Sequence, residues 1–134
     1  MKNLQGWWDS DLSPHLKIST PAGDSLDLVV DSGFNGELMI SVSLIKKLGL
    51  NKSGTITNIL ADGSLVQTAT YAGEILWFGQ KKKVWVQATN SDEGLLGTEL
   101  FQGCVVEMAP DEDRVVFRKK SSKARQRSKG GQRP

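Results

Sequence analysis

Between Leu16 and Phe117 the apolar residues fall in short runs broken by turn-forming residues, and the first half holds one good helix candidate. This pattern makes the class mainly β, with strands too short and too many for anything but a small barrel or sandwich. Leu16 to Ser19 and Leu26 to Asp31 flank Thr20-Pro21-Ala22-Gly23-Asp24-Ser25, which reads as a hairpin connection. The helical window is Ser41 to Gly49: Ser41 caps it, Leu44, Ile45 and Leu48 share a face, and Gly49 suits its end. A strand is expected over Thr55 to Leu60, then a turn at Ala61-Asp62-Gly63-Ser64 and a longer strand region from Leu65 to Phe78. After a turn at Gly79 to Lys82, Val84, Val86 and Ala88 alternate with Trp85 and Gln87. Thr98 to Gln102 reads as one or two helical turns, and Cys104 to Met108 and Val115 to Phe117 as the last strands. There is no internal repeat.

The charges divide the chain. All 15 acidic residues but only nine of the 17 basic ones precede Arg118, so residues 1 to 117 carry −6 and the remainder carries +8. That basic end has no large apolar residue to offset the entropy of ordering, so residues 118–134 are expected to be a disordered tail. The folded domain is expected to span residues 14–117, with residues 1–13 as an N-terminal extension in which Trp7 and Trp8 pack against the domain. At 134 residues the whole is the size of one domain.

Composition removes several chemistries. One cysteine, Cys104, and one histidine, His15, exclude a disulfide within the chain, a Cys/His zinc site and a Cys/Cys redox pair. A Ser-His-Asp triad would have to use His15, and no Gly-x-Ser-x-Gly elbow is present. No phosphate-binding loop, dinucleotide fingerprint or His-Glu-x-x-His motif occurs. No run reaches the length of a membrane span and the first residues lack an apolar signal core, so the expected location is the cytoplasm.

What remains is Leu28-Val29-Val30-Asp31-Ser32-Gly33-Phe34-Asn35-Gly36, an apolar strand running straight into an acid, a hydroxyl residue and a glycine. A carboxylate at the end of an apolar strand is costly unless compensated, so it is either a turn cap or functional. Asp-Ser-Gly also makes an ordinary Asx-type turn, and on that tripeptide alone the turn reading is favoured. Gly94-Leu95-Leu96-Gly97 and the hairpin turn at Ala61 to Ser64 are likewise unremarkable one at a time.

In this order and spacing, however, the three features resemble the retropepsin-like aspartic proteases, especially the small single-domain bacterial type. The resemblance covers Leu16 to Phe117. It implies a closed β-barrel of the acid protease fold with one or two short helices, forming a half-site subunit of a homodimer. It further implies that Asp31 is catalytic, that Ser32 and Gly33 support the acid pair, and that Asn35, Ala61, Asp62 and Gly63 bind an extended peptide or protein substrate under a flap. Leu95, Leu96 and Gly97 would be the structural apolar-apolar-Gly element. No metal or organic cofactor is required.

Two departures from the family pattern are visible: the flap turn carries one glycine, Gly63, and Ser32 stands where threonine is commoner. The chain has a single Asp-Ser-Gly, so the second carboxylate must come from a second copy. The rival reading is a catalytically silent dimer of the same fold that binds peptides. A second rival places the function in residues 118–134 as a weak, nonspecific polyanion contact, with no membrane partner.

Overall fold

The computed structural model describes residues 3–121; the rest of the basic tail, like Met1 and Lys2, lies outside the described residues. Ten strands and one α-helix succeed one another in the order β1 (Asn3–Trp8), β2 (Pro14–Ser19), β3 (Ser25–Val30), β4 (Leu38–Ser41), α1 (Val42–Leu48), β5 (Asn51–Ile59), β6 (Leu65–Trp77), β7 (Gln80–Thr89), β8 (Gly94–Leu96), β9 (Cys104–Ala109) and β10 (Arg114–Lys119). Short 3-10 turns occupy Thr98–Phe101 and Pro110–Glu112.

Period-two burial follows from the sequence. Leu16 and Ile18 on β2, Leu26, Leu28 and Val30 on β3, and Val84 and Val86 on β7 all point inward, while Asp27 and Trp85 point out. Their core is closed from the far side by Phe117, fully buried on β10, whose ring meets Trp77 and Phe101 edge to face at 5.7 and 5.6 Å. Helix α1 packs Ile45 against this core. Ser41 caps it, accepting a hydrogen bond from the Leu44 amide at 3.2 Å, and Gly49 ends it with φ 68°. Ser41→Ala is expected to cost about 1 kcal/mol of stability, measured as a shift in the urea midpoint.

The strands hydrogen-bond in the order β5-β6-β7-β4-β8-β3-β2-β1-β10-β9. This corrects the expected closed barrel. The terminal strands do not meet: β5 pairs only with β6 and β9 only with β10, so the sheet is open at both ends. Closure requires the first and last strands to pair, and here they lie at opposite ends of the strand order.

Residues before position 14 contribute a paired strand. Asn3 to Gly6 of β1 pair with β10, whereas Trp7 and Trp8 pair with β2. Strand β10 runs two residues past Phe117, to Lys119. The turn expected over residues 79–82 is tighter than the sequence suggests. Phe78 and Gly79 alone make it, with φ of 54° and 78°, and β7 resumes at Gln80. A buried phenylalanine in the left-handed region is uncommon; contact with Trp77 at 5.3 Å and with the Lys119 ammonium over its ring offsets the strain.

Candidate active site

Strand β8 lies between the two strands that flank the Asp31 loop. It runs parallel to β3, with Val30 opposite Leu96, and antiparallel to β4, with Leu38 opposite Leu96. The chain leaving β3 must therefore pass around the end of β8 before it can enter β4. Asp31 begins that passage, its amide donating to the Leu96 carbonyl at 2.9 Å.

Within the loop the Asp31 carboxylate accepts from the Gly33 amide at 2.8 Å, and its carbonyl accepts from the Phe34 amide at 3.1 Å. These are the bonds of an ordinary Asx-type turn. The surroundings exceed what a surface turn requires. Gly97 donates to the Glu37 carbonyl at 2.9 Å, Thr98 to the Phe34 carbonyl at 2.9 Å, and Glu99 to the Gly36 carbonyl at 3.2 Å. The Thr98 hydroxyl also donates to the Phe34 carbonyl, at 3.3 Å. The loop is thus bound along its length by the segment after β8, which fixes where Asp31 stands.

That fit depends on two glycines. A methyl at Gly97 would run into the carbonyls of Gly36 and Phe34, and one at Gly36 would meet the Phe34 ring and the Gln87 amide. Leu96 is fully buried and Leu95 half-buried, so the apolar-apolar-Gly element anchors the loop from below. Asp31 is half-buried at the outer end of β3, while Ser32 and Gly33 are exposed beside it.

Two cavities lie along one flank of the loop. The smaller, about 330 Å³, is walled by Gly33 to Gly36, Met39, Gln87 and by Asn58 and Ile59 of the β5–β6 hairpin. The larger, about 760 Å³, continues past Asn35 between β5 and the outer face of β7, with Glu37, Lys83, Trp85 and Glu99 in its wall. Asn35 borders both. Glu37 also holds β7, accepting from the Trp85 amide at 2.7 Å, and leaves the Trp85 side chain 59% exposed.

The predicted flap residues have a different placement. Ala61, Asp62 and Gly63 form the exposed tip of the β5–β6 hairpin, and neither cavity is walled by them. Asp62 accepts from both the hydroxyl and the amide of Ser64, at 2.6 and 2.9 Å. The hydroxyl bond first, then the amide bond, hold its carboxyl below the usual carboxylate range. Gly63 takes φ 85°, as the turn requires. The hairpin residues facing the loop are Asn58 and Ile59, which sequence reading misses along with Glu37, Gln87 and Thr98. Only Trp85 carried a signal, as a large aromatic on the outward phase of an alternating strand.

Among the described residues no group of three His, Cys, Asp or Glu side chains is placed to hold a metal ion, and no helix is long and apolar enough to cross a membrane. Cys104 is half-buried, and burial pushes its thiol up.

No family model and no curated protein sequence matches the chain. Among solved structures it is similar to a foamy viral protease-reverse transcriptase determined in complex with an RNA/DNA hybrid, with a TM-score of 0.48 and 14% identity. That match covers 63% of this chain and 11% of the other.

Proposed function

We propose that the chain is one subunit of a homodimeric aspartic endopeptidase in which Asp31 of each copy supplies half of the catalytic pair. The observation that carries this reading is the clamping of the Asp31 loop around the end of β8: it holds a half-buried carboxylate at the head of a loop whose residues Gly33 to Glu37, though not Asp31 itself, line two cavities large enough for peptide side chains.

One carboxylate cannot do the chemistry alone. Two carboxyl groups about 3 Å apart cannot both ionise, so the pair shares one proton. The ionised member removes a proton from a water, which attacks the scissile carbonyl carbon, while the protonated member donates to the carbonyl oxygen. No covalent intermediate forms, so neither Cys104 nor a serine is needed as a nucleophile. Asp62 is unsuited to be the second acid, because its oxygen is engaged by Ser64 at a hairpin tip.

A two-fold axis beside Asp31 brings the second carboxylate. The exposed Ser32 hydroxyl then lies where it can bond to the partner's loop, and Gly33 lets a substrate backbone come close. An extended peptide points successive side chains to opposite sides, so alternate residues enter the cavities beside Asn35 while the β5–β6 hairpin covers the backbone. Asn58 and Ile59 are the covering residues in this arrangement, with Ala61, Asp62 and Gly63 forming the turn that joins the hairpin.

Incubation with a mixed peptide library, with and without a transition-state-mimicking aspartic protease inhibitor, tests the activity. Inhibitor-sensitive cleavage is expected, and cleavage that the inhibitor leaves untouched would contradict the reading. Half a site cannot work alone, so specific activity is also expected to fall as the protein is diluted through its dimer dissociation constant. A sedimentation profile that is monomeric at full activity would refute the shared site.

A further inference from the structure

The only histidine in the chain stands at a structural joint. Strand β1 belongs to two partners: Asn3 to Gly6 pair with β10, and then just Trp7 and Trp8 pair with β2, opposite His15 and Pro14. Gly6 permits the crossing, because a methyl there would collide with the His15 carbonyl. The β9–β10–β1 sheet is therefore joined to the β2–β3 pair, which ends at Asp31, through a very short backbone ladder.

His15 spans this joint with its side chain. Its Nε2 is 2.7 Å from Asp9 Oδ2 in the turn after β1, and its Nδ1 is 2.8 Å from Asp27 Oδ1 on β3. The Trp7 ring of β1 stacks on the imidazole at 5.2 Å between centroids, 13° from parallel. We propose that Asp9, His15 and Asp27 form a pH-sensitive clasp across β1, β2 and β3, closed while both ring nitrogens carry protons and loosened when one is lost.

The balance of donors and acceptors decides whether the clasp closes. Ionised carboxylates only accept, and imidazolium offers two N–H donors. Neutral imidazole offers one, so after deprotonation one of the two carboxylates faces a ring lone pair at hydrogen-bonding distance. The neighbouring charges do not relieve that conflict. Lys17 on β2 stands opposite Asp27 across the ladder, but Asp9 already accepts from the amides of Asp11 and Ser13 and stays where it is. On the β10 side, Asp113 accepts from the Trp8 amide at 2.9 Å and the Arg114 carbonyl accepts from the Trp8 indole, which fixes the end of β1 against the turn before β10.

Burial works against a charged His15, yet its bonds to Asp27 and Asp9 outweigh burial and raise its pKa above the ordinary 6.5. The same bond to His15 is the main reason that the Asp9 carboxyl lies low. The sign follows by linkage. A raised folded pKa gives stabilisation that is complete below the unfolded value and is lost as pH rises through the folded one. The clasp thus holds at mildly acidic pH and slackens toward alkaline pH, whatever the role of Asp31; in stronger acid the low-lying Asp9 carboxyl takes a proton and its share of the clasp is lost as well.

Because the chain has one histidine, its ring resonance can be followed by NMR in the unmodified protein. The titration is expected to run above the value found in urea-unfolded chain. Amide exchange at Trp7 and His15, corrected for its intrinsic rise with pH, is expected to accelerate between about pH 5.5 and pH 8.5, by roughly tenfold for each unit that separates the two pKa values. Amides of the β6–β7 ladder should not follow. In Asp27→Asn the ring is expected to titrate lower and the pH-dependent acceleration to shrink. A ring that titrates at or below its unfolded value, or junction amides whose corrected exchange is flat over this range, would overturn the clasp.

Discussion

Replacing Asp31 by asparagine is expected to lower peptide cleavage by roughly 10²–10⁴-fold or more, the range associated with losing a positioned acid or base. In the proposed homodimer both members of the pair would change together, so neither the proton acceptor for water nor the donor to the carbonyl would survive. The fold should be indifferent to the change. Asparagine keeps a side-chain oxygen that can accept from the Gly33 amide, the one side-chain bond the loop takes from this residue. Matched kcat/KM measurements and thermal unfolding on the same preparations check both halves. Near-parental turnover would exclude Asp31 from the chemistry, and a collapsed fold would mean that the carboxylate serves structure.

The second large effect is expected at Gly97, a residue that touches no substrate in this account. Its backbone, at φ −100° and ψ 178°, is one that any residue can adopt, so the objection to Gly97→Ala is purely steric. The new methyl would strike the carbonyls of Gly36 and Phe34, and those carbonyls already accept from the Glu99 and Thr98 amides. Neither can swing aside without breaking a bond that holds the Asp31 loop. Overpacking of this kind costs about 1–3 kcal/mol. Displacing the acid by about 1 Å is expected to lower kcat/KM by about 10²-fold. Gly54→Ala is the control for stability, since its methyl would meet only the Thr70 hydroxyl, at 3.8 Å; Gly54 lines the larger cavity, so turnover of Gly97→Ala is compared with the parental chain. If Gly97→Ala matches Gly54→Ala in urea titration and the parental chain in turnover, the loop is not positioned by its fit around β8.

The elements that were legible in the sequence are those whose causes are local. Ser41 and Gly49 bracket α1 because capping is decided within a turn of the helix end. The β2–β3 hairpin and the inward face of β7 follow from alternation and turn residues within a few positions. The elements that were not legible depend on distant partners. Strand β4 is four residues long and exists because β7 and β8 hold it from both sides. The role of β1 is hidden because it changes partner after Gly6, so no single period describes it. The Phe78–Gly79 turn has no sequence signature, since phenylalanine seldom takes a positive φ.

The candidate site divides in the same way. Asp31 to Gly33 reads as a loop at the end of an apolar strand, and that is where it lies. What distinguishes the loop from an ordinary turn is its binding to Gly97, Thr98 and Glu99, more than 60 residues away, as the 64-residue separation of Thr98 from Phe34 illustrates. Trp85 and Glu37 meet across 48 residues, and nothing near either residue announces the other. The open sheet has the same origin, because whether β5 and β9 meet is decided by the pairing of all eight strands between them.

The shared catalytic pair is tested most directly by a mixed dimer. Parental and Asp31→Asn chains carrying different affinity tags are combined, and the species retained on both resins is assayed against a cleavable peptide. A site built from one Asp31 of each copy predicts that this mixed dimer is as inactive as the Asp31→Asn homodimer, because every site in it has lost a carboxylate. Retention of half the parental activity would show that each chain carries a complete site of its own and would contradict the account.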